Sequence, residues 1–242
     1  MWEKKKRGLV EGFSRQSRIR MMQRIAEVNH RDMLTLPVMV TLTYPGEYNS
    51  DPSSYKAHLN AFHTRLTRRY GKVALVWKLE FQKRGAPHFH FLIYFDSSIN
   101  IFGDGRHTPD CECFRCWLAA SWYAIVGSGD MRHYYFLRSG RTVELLRSVR
   151  GIQSYVSKYV AKVVSGVEQH VGRWWGVWAW ASMPVELVKV MLGPTEFYRL
   201  RRVFAGVRRS HDVQANIAAR NTGLWLFLCE EEARRVLDWL LQ

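Results

Sequence analysis

Two runs of alternating apolar character, Val73 to Gln82 and His88 to Phe95, flank the link Lys83-Arg-Gly-Ala-Pro87, and this arrangement constrains the chain more than any other. A period-two pattern on both sides of a Gly/Pro link predicts an antiparallel hairpin. With the turn centred on Arg84, paired positions sum to 168, so Glu80 falls opposite His88 and Lys78 opposite His90. Successive strand residues point to opposite faces. One face then carries Glu80, His88 and His90, and the other carries Trp77, Leu79, Phe81, Phe89, Phe91 and Ile93. The second face is dry and has to pack on helices. Directly opposed Cβ atoms lie about 5 Å apart, close enough for a carboxylate and two imidazoles to share one divalent ion.

Around the hairpin the patterning places further elements. Ile19, Met22, Ile25 and Ala26 recur at helical spacing among arginines, which predicts a basic amphipathic helix from Ser14 to about His30. The β-branched segment Pro37 to Pro45 reads as a buried strand ending at a Pro-Gly turn, and Ser53 to Tyr70 as a helix with Tyr55, Leu59, Phe62 and Leu66 on one side. Phe114 to Val126 reads as a helix, Arg132 to Ser139 and Thr142 to Leu146 as a short hairpin around Gly140, and Ile152 to Val164 as a helix. Beyond these come four tryptophans (Trp174, Trp175, Trp178, Trp180), a helix from Pro184 to Leu192, a strand from Leu224 to Cys229 and a helix from Glu230 to Leu241. The tryptophans fit core packing better than base stacking, with at least half of them buried. The domain division expected from these patterns is a basic arm over 1–36, a core over 37–182 with a Cys-rich insertion at about 104–117, and an extension over 183–242 packed on that core.

The charge balance points to a polyanion. The formal net charge is +15 in 242 residues, with nine Lys or Arg against three Glu in residues 1–31 and five Arg without an acid between Tyr198 and Arg209. Such clusters attract phosphate in a salt-dependent way and do not distinguish DNA from RNA. Arg84, Arg15 and Arg18 are candidate nucleic-acid contacts, and plain surface charge is an equal account of each. No run of 18 apolar residues or signal-type block appears, so a soluble, intracellular chain without a membrane partner is expected.

A second motif adds a nucleophile. In Tyr155-Val-Ser-Lys-Tyr-Val-Ala-Lys162, the residues Tyr155, Lys158, Tyr159 and Lys162 fall on one helical stripe. A phenol has an ordinary pKa near 10, and nearby cations favour its reactive phenolate. Two core tyrosines with lysines snorkelling to solvent would show the same spacing. A hydroxyl nucleophile beside a metal site is suited to phosphoryl transfer.

Val-Thr-Leu-Thr at 40–43, Glu80 followed by His88-Phe-His90, and the Tyr155 to Lys162 run occur in an order that resembles the three motifs of rolling-circle replication initiators. These belong to the HUH endonuclease superfamily, and the paired tyrosines resemble its two-tyrosine branch, which includes bacterial plasmid and phage initiators and the gene A proteins of microviruses. The resemblance covers about residues 13–180. It implies an α+β fold, a ferredoxin-like βαββαβ order with a central antiparallel sheet of about five strands and helices packed on one face. It also implies metal-dependent nicking and rejoining of single-stranded or extruded origin DNA through a 5′-phosphotyrosine at Tyr155 or Tyr159, supported by Lys158 and Lys162. Glu80, His88 and His90 would hold Mg²⁺ or Mn²⁺, although Zn²⁺ also binds such donors. Without a Gly-x-x-x-x-Gly-Lys-Ser/Thr loop, a host helicase and polymerase are implied partners, in the cytoplasm of a bacterial cell carrying the plasmid or phage. A non-catalytic origin binder or repressor, and a transposase or relaxase with the same chemistry, are the competing expectations.

Three of the four cysteines lie between Cys111 and Cys116, which does not resemble a secreted disulfide framework. His107, Cys111, Cys113 and Cys116 offer four ligands within ten residues, enough to close a structural zinc site, at a spacing unlike standard zinc knuckles. Reduced cysteines without a special role are the alternative.

Overall fold

The computed structural model describes residues 12–30, 32–95, 99–105, 107–108, 110–148, 152, 171–185, 191–210 and 230–240. It contains α1 (Arg15–Ala26), β1 (Val38–Thr43), α2 (Pro52–Tyr70), β2 (Ala74–Phe81), β3 (Pro87–Tyr94), α3 (Phe114–Ile125), α4 (Met131–Arg138), β4 (Val143–Leu145) and β5 (Trp175–Trp178). A 3₁₀ turn (Trp180–Ser182), α5 (Pro194–Ser210) and α6 (Glu230–Leu240) follow. The chain forms two compact units, Met1–Glu186, which holds the sheet, and Leu187–Gln242, which holds α5 and α6.

Strands β2 and β3 pair antiparallel, with Glu80 opposite His88 and Lys78 opposite His90. The turn closes through Gln82 N–H to Ala86 O (2.9 Å) and Gly85 N–H to Gln82 O (2.8 Å). Gly85 has φ +80°, the left-handed region that a Cβ disfavours, so glycine sets this register. The Arg84 guanidinium reaches from the turn to the carbonyls of Tyr44 (2.7 Å), Pro45 (2.8 Å) and Gly46 (2.9 Å), and so ties the hairpin tip to the loop after β1.

The five strands are ordered β4-β1-β3-β2-β5, with every neighbouring pair antiparallel. The first four reproduce the ferredoxin-like βαββαβ arrangement, and β5 extends it along the β2 edge. On one face Val38, Val40, Leu42, Leu75, Trp77, Leu79, Phe89, Phe91 and Ile93 form a core with Tyr55, Leu59, Phe62 and Leu66 of α2 and Phe114, Leu118 and Trp122 of α3. Helix α2 starts where the Asp51 carboxylate accepts from Ser53 N–H and Pro52 occupies the first turn, and it stops at Gly71 with φ +76°. Its buried residues are spaced by four and three, so they form one stripe, and Phe62 meets Phe91 at 5.0 Å between ring centroids. Truncating such a ring to alanine costs about 3–5 kcal/mol.

The opposite face is divided along its length. Met39, Val76, Leu92 and Tyr94 are buried at one end, where His30 lies 5.9 Å from the Tyr94 ring and Trp180 lies 6.1 Å from it. Val28 pairs with Val185, and Asn29 N–H donates to Pro184 O, joining the end of α1 to the segment after β5. The polar residues gather at the other end.

Several expectations need correction. Arg132 to Arg138 is helical rather than a hairpin arm, and β4 pairs with β1 instead. Tyr134, Tyr135 and Phe136 have high strand propensity, but the Asp130 carboxylate caps the helix at Arg132 N–H and burying His133 and Leu137, four apart, requires a helical repeat. Of the helix expected from Pro184 to Leu192, residues 186–190 lie outside the described residues, Val185 forms an isolated bridge with Val28, and Met191 and Leu192 are not helical. Of the four tryptophans only Trp174 is fully buried; Trp175 and Trp178 lie on an edge strand and, like Trp180, are half-buried. The expected strand Leu224 to Cys229 and all but the first residue of the helix Ile152 to Val164 lie outside the described residues.

Candidate active site

Three strands bring the polar end of the sheet together in two rungs. Thr43, His88 and Glu80 form one, and Thr41, His90 and Lys78 form the other. All six share a face because pairing in register keeps the pleat in phase across β1, β3 and β2. Glu80, His90 and Lys78 are buried, with Lys78 only 1% exposed.

Nε2 of His90 lies 3.3 Å from Oε2 of Glu80, and the Lys78 ammonium donates to Oε1 of the same carboxylate. The His88 and His90 rings stack with centroids 4.5 Å apart. On the far side of His90, Nδ1 is 3.3 Å from the Thr41 hydroxyl. That hydroxyl donates to Nδ1 or accepts from Nδ1–H according to tautomer, so the ring stays oriented with Nε2 toward the carboxylate in either state. Burial is the largest influence on Glu80 and by itself raises its pKa, but His90 and Lys78 together outweigh it and hold the group at about 2. Glu80 is therefore an anion at neutral pH.

The donor set, one ionised carboxylate and two imidazoles on one face, fits a divalent ion that keeps open positions. His88 lies opposite Glu80 in the same rung, and His90 reaches the Glu80 carboxylate from the next rung. The aromatic ring of Phe13 sits 4.9 Å from the Lys78 ammonium, so the chain entering α1 approaches this face.

The rim of the site is braced from behind. The carbonyl oxygen of Thr43 accepts from Trp122 Nε1–H at 2.6 Å and from His133 Nε2 at 3.0 Å, while Nδ1 of His133 faces the Ser128 hydroxyl at 3.0 Å. A carbonyl only accepts, so His133 carries its proton on Nε2. Helices α3 and α4 thus both fix the end of β1.

Tyr155, Lys158, Tyr159 and Lys162 lie outside the described residues. Arg84 has its guanidinium donors on backbone carbonyls, and its Nε donates to Gln82 at 3.0 Å. Arg18 is half-buried on α1, and the Arg15 side chain is outside what is described. The His107, Cys111, Cys113 and Cys116 donor atoms lie within 4.8 Å of one another, a group able to hold a metal ion. No described helix is long and apolar enough to cross a membrane.

Lys78, Thr41 and Thr43 join the site in the fold without a role among the sequence expectations. Their signal was present in the alternation of Val40-Thr-Leu-Thr43 and in the register that set Lys78 opposite His90.

The family model for the replication-associated proteins of the ORF2/gene 2 protein type matches residues 37–164, more than half of the chain. The chain belongs to this replication-associated protein family. In this replication-associated protein the matched region takes in both rungs, the cysteine group and the Tyr155 to Lys162 run. The replication-associated gene 2 protein of Pseudomonas phage Pf3 is 26% identical over 224 residues, covering 86% of this chain and 73% of the phage protein. No solved structure matches the chain.

Proposed function

We propose that the chain initiates rolling-circle DNA replication by nicking and rejoining one strand at an origin. The reading is supported above all by the pairing of Glu80 with His88 and of Lys78 with His90 on one buried face, within the region matched by a replication-associated family. The similarity to a phage replication protein supports the same conclusion.

The substrate is single-stranded or extruded origin DNA, drawn to the chain by its net charge of +15. Glu80, His88 and His90 would hold Mg²⁺ or Mn²⁺, which when bound would supply positive charge to the scissile phosphate. The oxygen of Tyr155 or Tyr159 attacks phosphorus, the bond to the 3′ oxygen breaks, and that oxygen takes up a proton to become a 3′-hydroxyl. A 5′-phosphotyrosyl link remains. One phosphoester is made for each one broken, so attack by a 3′-hydroxyl on the phosphotyrosine rejoins the strand without ATP. Lys158 and Lys162 stabilise phenolate or phosphate charge. The second tyrosine provides a nucleophile for a second transfer. Synthesis from the 3′-hydroxyl needs a helicase and polymerase from the host, which places the reaction in the bacterial cytoplasm.

The test is covalent capture. Labelled single-stranded DNA from the chain's own replicon is incubated with the protein and Mn²⁺, then boiled in detergent. A protein-linked band that requires metal and disappears only in the Tyr155→Phe/Tyr159→Phe double variant is the expected result. Tight DNA binding with no band on any replicon segment would overturn the nickase and leave a non-catalytic origin binder.

A further inference from the structure

We propose that His107, Cys111, Cys113 and Cys116 bind a structural Zn²⁺ that clasps the insertion between β3 and α3 onto α3 and α4. This site is separate from the Glu80, His88 and His90 face and does not depend on the nickase reading.

The donor atoms converge as a four-ligand site requires. Nδ1 of His107 lies 3.2 Å from Cys116 Sγ, 3.6 Å from Cys113 Sγ and 3.7 Å from Cys111 Sγ. All four donor atoms lie within 4.8 Å of one another. Zinc with Zn–S of about 2.3 Å and Zn–N of about 2.05 Å requires S···N edges of about 3.6 Å and S···S edges of about 3.8 Å. Four protein ligands leave no open position, which marks a structural rather than a catalytic site. Three thiolates and an imidazole select zinc over the hard ions Mg²⁺ and Mn²⁺.

The surroundings are built for it. Gly103 has φ +66°, and a Cβ there would meet Cys111 Sγ at 3.3 Å and the Cys113 side chain at 3.4 Å, so glycine leaves room for the sulfurs. His107 takes φ +44°, an uncommon backbone for a residue with a side chain, and this conformation turns its ring onto the cysteines. Cys113 caps α3 and Cys116 lies in its first turn, where the helix N-terminus favours negative charge. Three thiolates around Zn²⁺ leave one net negative charge. Arg138, the last residue of α4, answers it by donating to the His107 carbonyl and approaching Cys116 Sγ at 3.8 Å. The clasp therefore joins the start of α3 to the end of α4, the two helices whose Trp122 and His133 hold the Thr43 carbonyl.

Elemental analysis of the full chain, purified without chelator from zinc-supplemented growth, tests the site. Because zinc also accepts the donors of Glu80, His88 and His90, the measurement is made in the His88→Ala/His90→Ala background, where about one zinc per chain is expected and is lost when Cys111→Ser/Cys116→Ser is added. Only trace zinc in folded His88→Ala/His90→Ala protein, or a full equivalent kept by the folded quadruple variant, would overturn the proposal. If the cysteine variant does not fold, cobalt exchange into wild-type protein decides. Thiolate-to-cobalt charge-transfer absorption with the strong visible bands of a tetrahedral ion is expected, and their absence would overturn the proposal.

Discussion

Nε2 of His90 faces Oε2 of Glu80 at 3.3 Å, while Lys78 takes the other oxygen of the same buried carboxylate. An anion so enclosed is tolerated only because two cationic or hydrogen-bonding partners share it. Lys78→Met removes one of them and leaves the carboxylate to His90 alone. Breaking a buried pair in this way costs about 3–5 kcal/mol, so the urea midpoint should fall steeply, with an unchanged slope. A midpoint equal to wild type would show that Lys78 does not hold Glu80 in the folded protein.

Arg84 distinguishes loop structure from DNA contact. Its guanidinium bridges the turn after β2 to the carbonyls of Tyr44, Pro45 and Gly46. Arg84→Ala should lower stability by about 1–3 kcal/mol, as expected for charge-assisted hydrogen bonds. The slope of log affinity for single-stranded DNA against log salt should stay at the wild-type value, because a phosphate contact would reduce it by about one. A shallower slope with unchanged stability would assign Arg84 to the DNA.

The same hairpin shows why some of the fold was legible in the sequence and some was not. Alternation and the Gly85 turn fixed the register locally, so Glu80 and His88 could be paired without knowing what lay above them. Arg84 could not be read that way, since its acceptors lie about 40 residues upstream and only the folded chain brings them near. Lys78 was hidden for a different reason. A lysine in a strand ordinarily marks solvent, and its burial depends on the carboxylate two residues on and on Phe13 arriving from the N-terminal segment. At Arg132 to Ser139 the aromatic residues favour a strand, whereas the Asp130 cap and burial of His133 and Leu137 make a helix in the fold.

Acid should lower the stability of the fold, in part through His30. Burial lowers the His30 pKa from 6.5 to about 4, against a smaller opposing effect of the Val28 backbone. The unfolded chain therefore binds the proton more readily than the folded one between those values, and stability present above about 6.5 is lost as pH falls toward 4. Burial lowers His58, His63 and His133 in the same direction. His30→Gln should flatten part of this decline, measured as melting temperature against pH from 7 to 4. A variant curve parallel to wild type throughout would exclude His30 as a contributor.

Thr41 tests whether the orientation of His90 matters to the metal site proposed at Glu80, His88 and His90. Its hydroxyl meets Nδ1 of His90 at 3.3 Å, so it touches neither Glu80 nor the face of the ring that turns to the carboxylate. Thr41→Val keeps the shape of the side chain and its strand preference while removing the hydrogen bond to Nδ1 that orients the ring. Loss of such an outer partner typically weakens metal affinity about 10–100-fold. Mn²⁺ titration followed by electron paramagnetic resonance should show that weakening, while the melting temperature of the metal-free protein changes little. Thr41→Ser restores the hydroxyl without the methyl group and should recover most of the affinity. If valine and serine variants bind Mn²⁺ equally well, His90 is oriented by packing against His88 alone, and the Thr41 hydrogen bond has no part in the site.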